Sequence, residues 1–150
     1  MRGEDGFTLI EVVCVLAIIA LLAVIALPQS PRATTAQGLR GYAVEIAAML
    51  KADRIAAIRR HVFVSTALSA ASRTVRSGAG GGVLQLPADV AFDAILAQRC
   101  NGRVVGSSID FFPSGLSCGG AIALSRPGAA YQVRVNWLTG GVEIVASEKS

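Results

Sequence analysis

His61 is the only imidazole in this chain of 150 residues, and Cys14, Cys100 and Cys118 are its only thiols. A nucleophile needs a base beside it, and a zinc site needs three or four converging ligands. Neither arrangement is suggested by the spacing of these four residues. His61 follows Arg59-Arg60 at the predicted end of a helix, where a cation suits the negative end of the helix dipole, so it reads as a structural or surface residue. Asp89 and Asp93 are spaced for one helical face, although a strand or loop fits that stretch equally well. Residues 78–82, Gly-Ala-Gly-Gly-Gly, lack the Lys-Ser/Thr pair of a phosphate loop and read as a flexible loop. Aromatic residues make up 5% of the chain, too few for a base-stacking platform. No catalytic residue, metal or cofactor is expected. The chemically conspicuous group is Glu11, a carboxylate at the leading edge of an apolar run.

That run dominates the N-terminal part. Residues 12–27 are all apolar, 16 in succession, and residues 7–27 make a stretch of 21 interrupted only by Thr8 and Glu11. At about 1.5 Å per residue, 21 helical residues cover roughly 30 Å, the thickness of a bilayer's hydrocarbon core. A helix in a globular core keeps a polar stripe, and this segment has none. A secretory signal would need a basic front and a shorter apolar core followed by a cleavage site. Here Arg2 stands against Glu4 and Asp5, and the run is long. Membrane insertion is the better reading. A carboxylate at its edge is costly there and marks function.

The residues Gly6-Phe7-Thr8-Leu9-Ile10-Glu11, directly before the apolar run, resemble the processing site of type IV prepilins. The resemblance implies that prepilin peptidase cuts between Gly6 and Phe7 and methylates the new N-terminus at Phe7. It also implies that Glu11 pairs with the N-terminal amine of a neighbouring subunit and so sets register in a filament. The spacing suits that role: Phe7 and Glu11 are one helical turn apart, and a buried carboxylate requires a partner. The competing reading is a Glu11 that snorkels to the interface. Pro28, reinforced by Pro31, would end or kink the helix. The leader lacks the net positive charge usual for such segments. Arginines beyond the run outnumber Arg2, so orientation rests on the motif: N-terminus in the cytoplasm, remainder outside.

Residues 29–37 are small and polar and read as a hinge. From Leu39 to Arg60 the pattern is helical, with Leu39, Tyr42, Ile46, Met49, Leu50 and Ala57 on one face and Arg40, Val44, Lys51 and Ile55 on the other. Strands are predicted at 62–68, 73–76, 83–86, 108–112, 121–124, 131–137 and 142–145, with Thr139-Gly140-Gly141 as a hairpin turn. One long helix followed by antiparallel strands gives an α+β class. The expected organisation is a leader at 1–6, a transmembrane and filament-core helix at 7–28, a hinge and amphipathic helix at 29–60, and a β-rich domain at 61–150.

The C-terminal half carries a second resemblance. Ile109-Asp110-Phe111-Phe112-Pro113-Ser114-Gly115, then Gly119-Gly120-Ala121-Ile122, then the strand–Thr-Gly–strand ending, is similar to the GspH/FimT branch of the pseudopilins. It implies a pilin-like fold, with a long N-terminal helix, transmembrane in its first half, packed on a C-terminal antiparallel sheet domain. The implied function is that of a minor pseudopilin of the type II secretion system, held in the inner membrane with its C-terminal domain in the periplasm. The implied partners are other major and minor pseudopilins, the prepilin peptidase and the inner-membrane assembly platform. In an oxidising periplasm Cys100 and Cys118 are expected to bond, the alternative being two buried free thiols. Cys14 reads as a small packing residue. The alternative function is a FimT-like minor pilin that binds DNA. The formal charge of +4 is compatible with that, but the basic residues are scattered. DNA-uptake relatives carry Gly-Arg-x-Arg in the last hairpin, where this chain has Gly140-Gly141-Val142-Glu143. Nucleic acid is therefore not the expected partner.

Overall fold

A computed structural model describes residues 6–26 and 33–147. Two compact units divide the chain at Arg32 and Ala33. The leader residues before Gly6, together with Pro28, Pro31 and the first part of the predicted hinge, lie outside the described residues.

The first unit contains helix α1 (Leu9–Ala26). The Thr8 carbonyl starts it, accepting from the amides of Glu11 at 3.0 Å and Val12 at 3.3 Å. Leu, Ile, Val and Ala side chains occupy every face, and each one described is exposed. A helix apolar on all sides is stable only inside an apolar surrounding. Among the described residues, nothing in the first unit supplies one.

The second unit begins with helix α2 (Ala36–Arg60). Thr35 caps it, its Oγ1 accepting from the Gly38 amide at 3.0 Å, a contact worth about 1 kcal/mol. The sequence reading placed residues 36–37 in the hinge; the Thr35 cap draws them into the helix instead. His61 closes the helix in the left-handed conformation at φ 54, its amide donating to the carbonyls of Ala57 and Ile58. Leu39, Ala43, Ile46, Ala47, Leu50, Asp53 and Ala57 form the buried face, while Arg40, Val44, Lys51 and Ile55 point to solvent.

Ten strands follow: β1 (Val64–Ser69), β2 (Thr74–Arg76), β3 (Val83–Gln85), β4 (Ala91–Leu96), β5 (Arg99–Cys100), β6 (Arg103–Val104), β7 (Ser108–Phe111), β8 (Gly120–Arg126), β9 (Ala129–Val135) and β10 (Val142–Ala146). They build one antiparallel sheet in the order β3-β2-β1-β7 and another in the order β10-β9-β8-β4, with β5-β6 as a separate small hairpin. Helix α2 packs on strands of both sheets, so one helix face closes a single core against two sheets. Leu39, Ile46, Leu50, Ile109, Phe111, Ile122 and Leu124 are fully buried in it.

Three strands were not expected from the sequence. β4, at the edge of its sheet, carries Asp93 and small alanines and alternates only between exposed and half-buried positions. Its hydrophobic signal is correspondingly faint. Asp93 accepts from the Ala94 amide at 2.8 Å. Asp89 precedes the strand in a turn closed by Val90 N to Pro87 O, so the two aspartates do not share a helix face. β5 and β6 contain two residues each and turn at Asn101-Gly102, both with positive φ.

Candidate processing and assembly site

Gly6, Phe7 and Thr8 precede α1 as non-helical backbone. Among the described residues, and apart from its chain neighbours, no atom lies within 4 Å of the place a Cβ on Gly6 would occupy. Phe7 is 82% exposed. Among the described residues, the Gly6–Phe7 peptide bond is therefore open, and no packing demands a glycine there. Glu11 stands exposed in the first turn of α1 as that helix's sole charged residue. A carboxylate there suits the positive end of a helix dipole. Cys14 is exposed on the same helix with a free thiol.

The 18 residues of α1 rise about 27 Å at 1.5 Å each, short of a hydrocarbon core of about 30 Å. Among the described residues, no helix is long and apolar enough to cross a membrane. Among the same residues, no group of three or more His, Cys, Asp or Glu side chains could hold a metal ion.

In the second unit, the side chains that fix the fold lie where α2 meets the loops. Asp53 is fully buried on α2. Its carboxylate accepts from Thr66 Oγ1 at 2.6 Å on β1, Ser77 Oγ at 2.5 Å, Gly78 N at 3.1 Å and Ala79 N at 3.2 Å. Four donors replace the water a buried carboxylate has lost. The glycine-rich stretch at 78–82, expected to be a flexible loop, is thus tied to the helix at its first two residues. Gly78 allows the approach, because a Cβ would collide with the Ser65 carbonyl.

Next to Asp53 in sequence, Arg54 donates from Nε to Gly115 O and from Nη2 to Thr139 O, both at 2.9 Å. It clamps the β7–β8 loop and the β9–β10 turn to the helix. Gly140, at φ 64, is needed at that crossing: a Cβ there would strike Gly115 O and the Arg54 side chain. In the same hairpin Glu143 lies directly across from Arg134.

Cys100 and Cys118 are joined by a disulfide, their Cα atoms 5.6 Å apart. It pins the β5–β6 hairpin beside the start of β8. Near the N-terminal end of α2, Asp89 accepts from Thr34 N at 2.6 Å and Thr34 Oγ1 at 3.0 Å. The Thr34 amide lowers the Asp89 pKa, helped by the Thr34 hydroxyl and by the charge of Arg126. Asp89, Arg126 and Tyr131 border an open groove of about 900 Å³ beside Ala36.

The sequence reading found the N-terminal residues but missed Asp53 and Arg54. Asp53 had a signal: a carboxylate three residues after Leu50 and four before Ala57, inside an otherwise apolar face. Arg54 had none, since both its acceptors are backbone carbonyls distant in sequence.

Residues 1–27 match the prokaryotic N-terminal methylation motif. Among solved structures, the chain is similar to the minor pseudopilin EpsH from the type 2 secretion system of Vibrio cholerae. That match has 12% identity and a TM-score of 0.57, covering 71% of this chain and 95% of that chain. The chain is also similar to the type IV minor pilin FimU of Pseudomonas aeruginosa, at 15% identity and a TM-score of 0.54, covering 75% and 94%. Comparison with curated protein sequences finds no match. The chain thus combines a prepilin-type N-terminus with a pilin-like fold. At 12% and 15% identity, the likeness to the two subunits is one of fold.

Proposed function

We propose that this protein is a minor pseudopilin of the GspH type, a structural subunit of a type II secretion pseudopilus. The observation that carries the reading is α1: a helix apolar on every described face, exposed at each residue from 9 to 23, with Glu11 as its one charge and an open Gly6–Phe7 bond before it. Such a helix needs lipid first and neighbouring helices later. The chain is anchored in the inner membrane by residues 7–28, with the α2–sheet unit on the periplasmic side. Prepilin peptidase cleaves after Gly6 and methylates Phe7. Glu11 then meets the α-amine of a neighbouring subunit, two charges that each need the other once water is gone. The inner-membrane assembly platform and other major and minor pseudopilins are its partners, and it catalyses no reaction.

The open space at Gly6 supplies the test. Among the described residues, a methyl group there meets nothing beyond its chain neighbours, so a loss with Gly6→Ala points to recognition by another protein. Gly6→Ala is expected to leave the precursor uncut, seen by intact mass in membranes. Normal-size mature protein in that variant would overturn the processing assignment.

A second reading, a minor pilin of a type IV pilus, is supported by the likeness to FimU. Its DNA-binding form is disfavoured by Glu143, an acidic residue opposite Arg134 in the hairpin where a basic pair would be needed.

A further inference from the structure

Between two well-paired strands lies an arm with few ties to the rest of the domain. β4 ends at Leu96, opposite Gly120 of β8. The chain rejoins a sheet at Ser107, whose carbonyl accepts from Leu68 N at 2.8 Å. Residues 97–106, in between, fold back on themselves as the β5–β6 hairpin: Arg99 faces Val104, Cys100 faces Arg103, and Val105 N donates to Gln98 O at 2.9 Å. Among the described residues, no backbone or side-chain hydrogen bond joins 97–106 to any other part of the domain. None of these residues belongs to the core, which resumes at Ile109, and Val104 is 81% exposed.

The tie that remains is covalent. Cys100 is bonded to Cys118, which is itself fixed: its amide donates to Asp110 O at 3.0 Å, between the buried residues Ser117 and Gly119. A two-stranded hairpin by itself is marginal in water, and this one has only two residues in each strand. Local stability follows buried apolar contact and hydrogen bonding, and here the hydrogen bonding stops at the hairpin's own edge. The core has no such dependence. β8 and β9 pair along their whole length, and Ile122, Leu124 and Val133 are fully buried.

We propose that the Cys100–Cys118 bond is a redox-sensitive clasp: oxidised, it holds the arm closed; reduced by a dithiol, it frees the arm and leaves the core folded. One thiolate of the dithiol attacks either cysteine sulfur, the S–S bond breaks, and its electron pair leaves on the other sulfur. The second thiol resolves the mixed disulfide, so that Cys100 and Cys118 end as thiols and the dithiol as a cyclic disulfide. The freed arm presents Arg99 and Arg103, both exposed, on a backbone no longer held in strand geometry. Proteases cut such opened segments. An unoxidised copy is therefore open to cleavage where the oxidised copy resists it. None of this depends on the function proposed above.

Hydrogen exchange of the full chain in detergent micelles, read by mass spectrometry with and without dithiothreitol, tests the clasp. Alkylation confirms that Cys100 and Cys118 are free in the reduced sample. Peptides covering 97–106 should then exchange at least about tenfold faster, while those of β8 and β9 keep their protection. Brief trypsin treatment should cut after Arg99 and Arg103 faster by a similar factor. The Cys100→Ser/Cys118→Ser double variant should behave as the reduced chain without any reductant, and Cys14→Ser should respond to dithiothreitol as the unchanged chain does. Equal exchange of 97–106 in both redox states would overturn the proposal, because the arm would then be held by its own contacts. Loss of protection in β8 and β9 together with the arm would overturn it too, because the bond would then staple the whole domain.

Discussion

Asp53 and Glu11 are two carboxylates with opposite solutions to the same physical problem. Asp53 finds all its partners within the chain, four donors on β1 and the following loops. Asp53→Ala leaves those donors facing a cavity and should cost about 2–4 kcal/mol. Asp53→Asn keeps one acceptor oxygen and should cost less. Urea unfolding of residues 33–150, which hold their own core, reads both. Among the described residues Glu11 has no such partner, and the filament reading assigns it one on another subunit. Glu11→Val removes the need for that partner while raising the helix's affinity for lipid. The variant should be processed normally yet enter filaments poorly, measured by cross-linking of sheared filaments. Equal incorporation would remove the amine–carboxylate pair from the scheme.

At the scale of elements, α2 organises the domain from both ends. At its N-terminal end Thr34 is tethered to Asp89, and near its C-terminal end Arg54 holds two loops. The Asp89 tether carries a pH dependence. The folded-state pKa is lowered, first by the Thr34 amide, so the stability it contributes is complete above about pH 4. That stability is lost as pH falls further and the carboxyl protonates. The thermal midpoint should therefore fall on acidification below about pH 4, and less steeply in Asp89→Asn, whose neutral amide does not titrate. An identical pH profile for the two proteins would show that the tether does not contribute. The helix face that packs was legible in the sequence, because an apolar stripe at helical spacing has one place to go. So were the central strands β8 and β9. The edge strand β4 was not, since half its side chains meet water and its pattern resembles a loop.

For the whole molecule, the two units make different demands on their surroundings: the second buries a core of its own, and the described side chains of α1 are all exposed. A subunit so built belongs in an assembly, and two assemblies share the fold. Deleting the gene and measuring exoprotein release alongside twitching and transformation separates them. Lost secretion with normal pilus functions is expected; the reverse would move the protein to the pilus. The sequence alone determined what depends on neighbours in the chain: the apolar run, the Gly6-Phe7…Glu11 spacing, the amphipathic helix and the strongly alternating strands. Each is a periodicity or a local motif, and local chemistry enforces it. Only the tertiary structure decided where Asp53 would be satisfied and which backbone carbonyls Arg54 would clamp. Those contacts join residues tens of positions apart. They arise because two sheets close on one helix, a geometry no local pattern encodes.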